Sequence, residues 1–246
     1  MTNKKKDNKI VRTHDEFYSQ IDPNAPPKDS FIQIANLIDK YKQKILKKIT
    51  IVDFGCASGA FVNYLNSRFP NDNIVGYEYL EALVRSGIKN YPNLQIKQGS
   101  ILDKNSLPKS SVDVITALGV ISIFDDIEPV IQNIAYWSRP NGKVFIHGMF
   151  NPFDVDVFVK YKLSENYNSN EYECGWNIIS QRTISSLLIK KGANNIKFHD
   201  FNISKDLFIN PDDPLRSWTE KMEGGARQIV NGTCLKQPQF ILEVDF

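Results

Sequence analysis

Apolar positions along this chain alternate between two spacings, and each switch marks an element. From residue 29 to 47, Phe31, Ile34, Ala35, Ile38, Tyr41 and Ile45 recur at helical spacing, with Asp29 or Ser30 available as the N-cap. Residues 49–54 then form a short β-branched run that stops at Gly55, the pattern of a strand buried on both faces. Helical spacing returns over 59–69, where Phe61, Val62, Leu65 and Phe69 share one face and Pro70 closes it. The alternation continues with a strand at 73–77, a helix at 80–89, strands at 94–98 and 112–118, and a helix at 127–137. A fifth strand at 143–149 is entered through the turn Arg139-Pro140-Asn141-Gly142. Strands separated by helices build βαβ units, so the expected fold is α/β: a mostly parallel sheet with helices on both faces.

After Met149 the rhythm breaks. Residues 150–175 are polar and rich in Asn and Tyr. A further helix at 181–191 has Ser180 as its cap and Gly192 as its stop, followed by a sixth strand at 195–203 and a last one at 239–244. Residues 204–238 are too long for a simple hairpin loop, and connections of that length usually carry function or structure of their own. Ligands of open α/β sheets bind beyond the carboxyl ends of the strands. The stretches 150–175 and 204–238 are therefore expected to rise over that edge as lid or acceptor-binding inserts, with self-association as the plainer alternative.

Length and composition narrow the possibilities further. The 246 residues suit one α/β domain over 1–246, with a flexible N-terminal tail over about 1–12. Thirty basic residues stand against twenty-eight acidic ones, too even a balance for a protein whose main work is gripping a phosphate backbone, so no nucleic-acid partner is expected. The cluster Lys4-Lys5-Lys6 is not followed by an apolar stretch and reads as solvated tail. No run approaches eighteen apolar residues, so no membrane span is expected. Cys56, Cys174 and Cys234 are few, odd in number and far apart, which fits free thiols in the cytoplasm.

The chemistry concentrates in Asp53-Phe54-Gly55-Cys56-Ala57-Ser58-Gly59, a strand that runs through a glycine-bearing turn straight into a helix. Gly55 permits a sharp turn because it tolerates positive φ, and Gly59 removes a Cβ where the helix start approaches a ligand. The second strand ends at Glu78, about twenty residues beyond the loop, where a carboxylate can accept both hydroxyl protons of a ribose. A solvated strand-end acid is the bland alternative, and the loop beside it weighs against that. After the third strand, Gly99-Ser100-Ile101 can offer an amide, a hydroxyl and an apolar face to an adenine; an ordinary polar turn explains it as well.

Together these residues resemble the class I S-adenosylmethionine-dependent methyltransferases. The loop from Asp53 to Gly59 is similar to their acid-x-Gly-x-Gly-x-Gly pattern, with Ala57 in place of the middle glycine. Glu78 matches their ribose-binding acid and Ser100-Ile101 their adenine-edge pair, where Asp is more usual. Arg139-Pro140-Asn141-Gly142 is similar to the turn before their fifth strand. The resemblance implies a Rossmann-like, doubly wound sheet with an antiparallel last strand. It also implies S-adenosylmethionine as cofactor, S-adenosylhomocysteine as product, and a cofactor site drawn from Tyr18, Asp53, Gly55, Cys56, Ala57, Gly59, Glu78, Tyr79, Ser100, Ile101 and Leu118.

Two other readings compete. A nicotinamide-dependent oxidoreductase carries Gly-x-Gly-x-x-Gly or Ala at this turn, and here that frame reads Gly55, Ala57, Ala60, without the second glycine. Asp53 would attract an ammonium group but repel a pyrophosphate. A non-catalytic cofactor-binding protein of the same fold is the other. Asn151-Pro152-Phe153 resembles the Asn-Pro-Pro-Tyr motif of DNA amino-methylating enzymes, but it follows the fifth strand rather than the fourth. A small acceptor, sugar-like or otherwise polar, is expected instead, with Asp212, Asp213, Arg216 and Trp218 available to bind it. If the acceptor atom is oxygen, a general base is needed. His147 near the end of the fifth strand is the first candidate, with a structural histidine as the alternative. Asp125 and Asp126 follow, with a helix start as theirs.

Overall fold

The computed structural model describes residues 12–20, 22–45 and 47–246. Lys4 to Lys6, and nearly all of the tail expected over about 1–12, lie outside the described residues. In chain order the principal elements are α1 (Asp29–Lys42), β1 (Thr50–Phe54), α2 (Ala60–Arg68), β2 (Asn73–Glu78), α3 (Glu81–Asn90) and β3 (Gln95–Gln98). Then follow β4 (Val112–Leu118), α4 (Glu128–Trp137), β5 (Ser138–Asn151), α5 (Gln181–Lys190), β6 (Asn195–Asp200) and β7 (Gln239–Asp245). The main sheet runs β3-β2-β1-β4-β5-β7-β6. Only β7 is antiparallel to its neighbours, which leaves β6 parallel to β5. This is the mostly parallel α/β sheet that the alternating pattern predicts, with the Rossmann-like strand order and antiparallel last strand that the family resemblance implies.

Successive strand residues face opposite sides of the sheet, so an apolar run buries both. Ile51, Ile74, Val114, Phe145 and Ile241 pack with α1 and α2 on one face. Their chain neighbours Val52, Val75, Ile115, Ile146 and Leu242 pack with α4 and α5 on the other. There Phe54 stacks on Trp137 with ring centroids 4.6 Å apart, and the Trp137 indole N–H donates to the Lys104 carbonyl at 3.0 Å. No helix among the described residues is long and apolar enough to cross a membrane.

The differences from the sequence reading have local causes. β5 starts earlier than expected because Ser138 already pairs with Val112, after which Arg139–Gly142 bulge out and pairing resumes at Val114 and Lys143. Neither Asp29 nor Ser30 caps α1; the N-cap is Lys28, without a side-chain cap bond. Asp29 instead accepts hydrogen bonds from the Ser204 amide at 2.7 Å and hydroxyl at 2.9 Å, tying the late segment to the first helix. Ser180 does cap α5, its hydroxyl accepting from the Thr183 amide at 3.0 Å. Within 204–238 lies the antiparallel hairpin Trp218–Lys221 and Arg227–Val230. Within 150–175 lie the short pair Lys160–Tyr161 and Glu173–Cys174 and the 3-10 turn Ser164–Asn166.

Candidate active site

The strand order reverses between β1 and β4, and at such a point the flanking loops turn away to opposite sides and leave a crevice. The chain leaves β1 in a tight turn: the Gly55 and Cys56 amides both donate to the Tyr77 carbonyl, at 2.8 and 3.1 Å. Gly55 has φ +70°, and a Cβ there would lie 2.4 Å from a methyl of Val120, so both backbone and space exclude a side chain. Ala57 also takes positive φ, at 48°, and Glu78 braces it. One Glu78 oxygen accepts from the Ala57 amide and the other from the Leu80 amide, each at 2.9 Å. Glu78 is buried, and burial pushes its carboxyl up despite the backbone amides that favour the charged form.

Asp53 is also buried, and the Thr116 hydroxyl donates to it at 2.7 Å. Burial pushes its carboxyl up to about 7; the Thr116 bond opposes that shift and the nearby Glu78 charge adds to it. A cation placed against Asp53 would draw it back to the carboxylate form. The Cys56 thiol is pushed up by burial and by the acids beside it, so it is an unreactive small hydrophobe.

A cavity of about 920 Å³ opens over this edge. Asp53, Gly55, Cys56 and Ala57 line it from β1, and Glu78 and Tyr79 from β2. Ser100 and Ile101 line it after β3, and Leu118 at the end of β4. Tyr18 lines it from the 3-10 helix Thr13–Gln20, its carbonyl accepting from the Ser58 hydroxyl at 3.3 Å. The Ser100 hydroxyl is already used, accepting from the Leu102 amide at 3.1 Å. Gly59 does not line the cavity. A Cβ there would lie 2.5 Å from Ile96 Cδ1, so this glycine is required by core packing and by its φ of +86°, not by a ligand's approach.

The far end of the cavity is built from β5, β7 and residues 204–238. His147 lines it with a half-buried ring set edge-on to Phe201 at 4.6 Å, and its buried Nε2 has no hydrogen-bond partner. Burial, and then the charge on Lys28, push this imidazole down to about 4, with Gln239 opposing. Asp213 is buried; one of its oxygens meets His14 Nδ1 at 3.0 Å and the other, Oδ2, is unpaired. Asp212 and Arg216 line the same space, but Trp218 does not, since its indole N–H turns to Glu220 in the hairpin.

Three expectations need correction. Asp125 does not line the cavity: it pairs with Lys160 and accepts from the Cys174 thiol at 3.1 Å and the Asn177 amide at 3.2 Å. Asp126 does not either; its carboxylate accepts from the Glu128 amide at 2.9 Å, which starts α4. Nor do residues 150–175 rise over the site. They fold onto the flank, where the Asp156 carboxylate accepts from the Ser180 amide and Thr183 hydroxyl, and the cavity takes only Trp176, just beyond them. Sequence reasoning also missed Lys28, His14, Gln237 and Gln239, which line the cavity from loops or element ends and have no motif around them. The one available signal was Gly119, placed like Gly55 after a strand and with φ +74°.

Comparison with known proteins adds to this geometry. The family model described as "Methyltransferase domain" matches residues 29–197. The protein named "Putative methyltransferase 235L" of Invertebrate iridescent virus 6 is 20% identical over 116 residues, which are 47% of this chain and 42% of that protein. The chain thus spans about two fifths of that relative's length. Among solved structures, the YcgJ protein of Bacillus subtilis superposes with a TM-score of 0.55 at 9% identity, over 86% of this chain and 97% of that one. A SAM-dependent methyltransferase of Methanosarcina mazei does so with a TM-score of 0.55 at 12% identity, over 85% and 96%. At such identities these structures share the fold.

Proposed function

Because this chain belongs to the class I S-adenosylmethionine-dependent methyltransferases, we propose that it holds S-adenosylmethionine beside a small polar acceptor and transfers a methyl group to it. One observation carries this reading: a single cavity of about 920 Å³ spans both the glycine loop and the late segment. Ligand sites are typically about 300–1,000 Å³, so this one has room for a cofactor and a small acceptor together.

The residues fit the cofactor. Glu78 uses its oxygens to hold the loop, yet each carboxylate oxygen has further accepting capacity for a ribose hydroxyl. Asp53, buried beneath the loop, suits the cofactor's ammonium group and is a poor neighbour for the pyrophosphate of a dinucleotide. Ile101 and Leu118 give apolar walls. When bound, S-adenosylmethionine supplies an electrophilic methyl on a good leaving group, so the chain's own work is alignment and exclusion of water.

On the acceptor side, His147 offers Nε2 as the atom that takes a proton from a hydroxyl acceptor. Its lowered basicity keeps the ring neutral at physiological pH, with a lone pair free. Residues of the 3-10 helix Thr13–Gln20 and of 204–238 wall the partly open cavity, and bound ligands would displace its water. The oxidoreductase alternative gains no observation from the site, and a non-catalytic protein of this fold would bind cofactor without turnover. Calorimetry should therefore show saturable binding of S-adenosylhomocysteine and none of NADH, and labelled S-adenosylmethionine should transfer its methyl to a polar metabolite. Preferential binding of NADH would overturn the reading, and cofactor binding with no transfer across a broad acceptor panel would favour the non-catalytic one.

A further inference from the structure

Two solvent-exposed cations at the far end of the cavity have no ion-pair partner among the described residues. Lys28 sits at the N-cap of α1 and Arg216 in the late segment; both line the cavity, and neither forms an ion pair among the described residues. The Lys28 Nζ lies 5.7 Å from the centroid of the Phe31 ring. Burial of its head group, and then the charge on Arg216, push the Lys28 ammonium down, and Lys28 in turn adds to the effect of burial on His147. The acids around them are engaged elsewhere: Asp15 with Arg12, Asp29 with Ser204, and Asp213 with His14. Asp212, exposed at the rim, pairs with neither cation.

Unpaired polar atoms stand in the same space. Asp213 has a side chain only 1% exposed and an Oδ2 without a donor. Gln237 is 5% exposed, and its side-chain nitrogen has no acceptor. Buried groups of this kind are normally satisfied, and two of them in one cavity with two unpaired cations describe the complement of a missing molecule.

We infer that the acceptor is anionic: a carboxylate or phosphate ester whose negative group lies between Lys28 and Arg216 and whose hydroxyl or ammonium donor reaches Asp213 Oδ2. This rests on the function proposed above and narrows it to a substrate class. Gln237 would donate to the same molecule, and the reacting hydroxyl would face His147. A neutral sugar would leave both cations unpaired.

Inorganic phosphate and acetate are the probes, with glycerol as the neutral control, each titrated into protein saturated with S-adenosylhomocysteine and followed by ligand NMR line broadening. Saturable binding of an anion and none of glycerol is expected, and the stronger of the two anions identifies the group. The doubly substituted Lys28→Gln, Arg216→Gln protein should lose at least about tenfold in anion affinity while its affinity for S-adenosylhomocysteine stays within about threefold. Neither side chain makes a hydrogen bond among the described residues, so the variant should remain folded by circular dichroism. Anion binding that is absent from the wild type, or unchanged in the variant, overturns the proposal. So does a parallel loss of S-adenosylhomocysteine affinity, which would assign the cations to the cofactor's own carboxylate. If the wild type binds no S-adenosylhomocysteine, the methyltransferase reading fails instead, and titration of the protein alone still tests the cation pair.

Discussion

Under the glycine loop, the polar groups of the cavity have found partners within the chain; toward β5 and residues 204–238, several have not. Asp53 is held by Thr116, and Glu78 by the amides of Ala57 and Leu80. At the other end His147 Nε2, Asp213 Oδ2 and Gln237 Nε2 are buried without partners. Leaving such a group unsatisfied costs about 1–3 kcal/mol. The contrast suggests a division of labour. The loop half is shaped before any ligand arrives, and the far half is completed by one.

The sharpest break between the halves should come at His147. If it takes the acceptor's proton, His147→Asn should lower turnover by roughly 10²–10⁴, while affinity for S-adenosylhomocysteine holds. A variant that loses stability but keeps turnover per folded molecule would return the histidine to a structural role. Because its imidazole is held down to about 4, turnover at saturating S-adenosylmethionine should stay flat as pH falls from 7 to 5 and drop only near 4. The same shift has a stability consequence. The unfolded chain takes up this proton near its ordinary value of about 6.5, so the residue's contribution is present above that pH and lost as pH falls toward 4.

Glu78→Ala comes next, since it removes both a ribose acceptor and the brace on Ala57. Affinity for S-adenosylhomocysteine should fall at least about tenfold, and Glu78→Gln, which keeps one accepting oxygen, should fall less. Calorimetry showing equal affinities would detach Glu78 from the cofactor.

Asp53 gives a smaller but more diagnostic effect. Its folded value of about 7 lies above the ordinary carboxyl range, so its contribution to stability is full below about 4 and lost as pH rises through 7. Asp53→Asn should accordingly melt higher relative to wild type at pH 8 than at pH 5, though it binds cofactor more weakly. Cofactor binding to the wild type near pH 7 should also release a fraction of a proton, because a cation beside Asp53 favours its charged form. Calorimetry in two buffers of different ionisation enthalpy reads this directly, and identical heats would remove Asp53 from the ammonium's neighbourhood. The smallest effect is expected at Asp126, where Asp126→Asn should change turnover by less than about threefold and cost at most about 1 kcal/mol of stability, because its side-chain hydrogen bond among the described residues goes to the Glu128 amide at the start of α4.

Much of the loop half was legible in the sequence, for a physical reason. Asp53, Gly55, Ala57 and Glu78 are placed by two adjacent strand ends, and a strand followed by a glycine turn has few ways to fold. Gly59 shows where that reading fails. Its position in the motif is visible, but whether the missing Cβ makes way for a ligand or for Ile96 depends on a residue from another strand. Asp125 and Asp126 fail similarly: an acid after a strand can face a cavity, start a helix or meet a lysine, and only the packing of Lys160 and Asn177 selects among these.

The sequence by itself determined the alternation of strands and helices, the two-sided burial of the central strands and the glycine turn at the switch point, because these follow from spacing and from local backbone preferences. Tertiary structure alone decided that Lys28, His14 and Gln237 join His147, Asp213 and Arg216 in one cavity. These residues come from five separate stretches of chain, none with a local pattern. They meet because β7 lies between β5 and β6 and Asp29 ties down the segment at Ser204, a consequence of long-range pairing that no stretch of sequence carries alone.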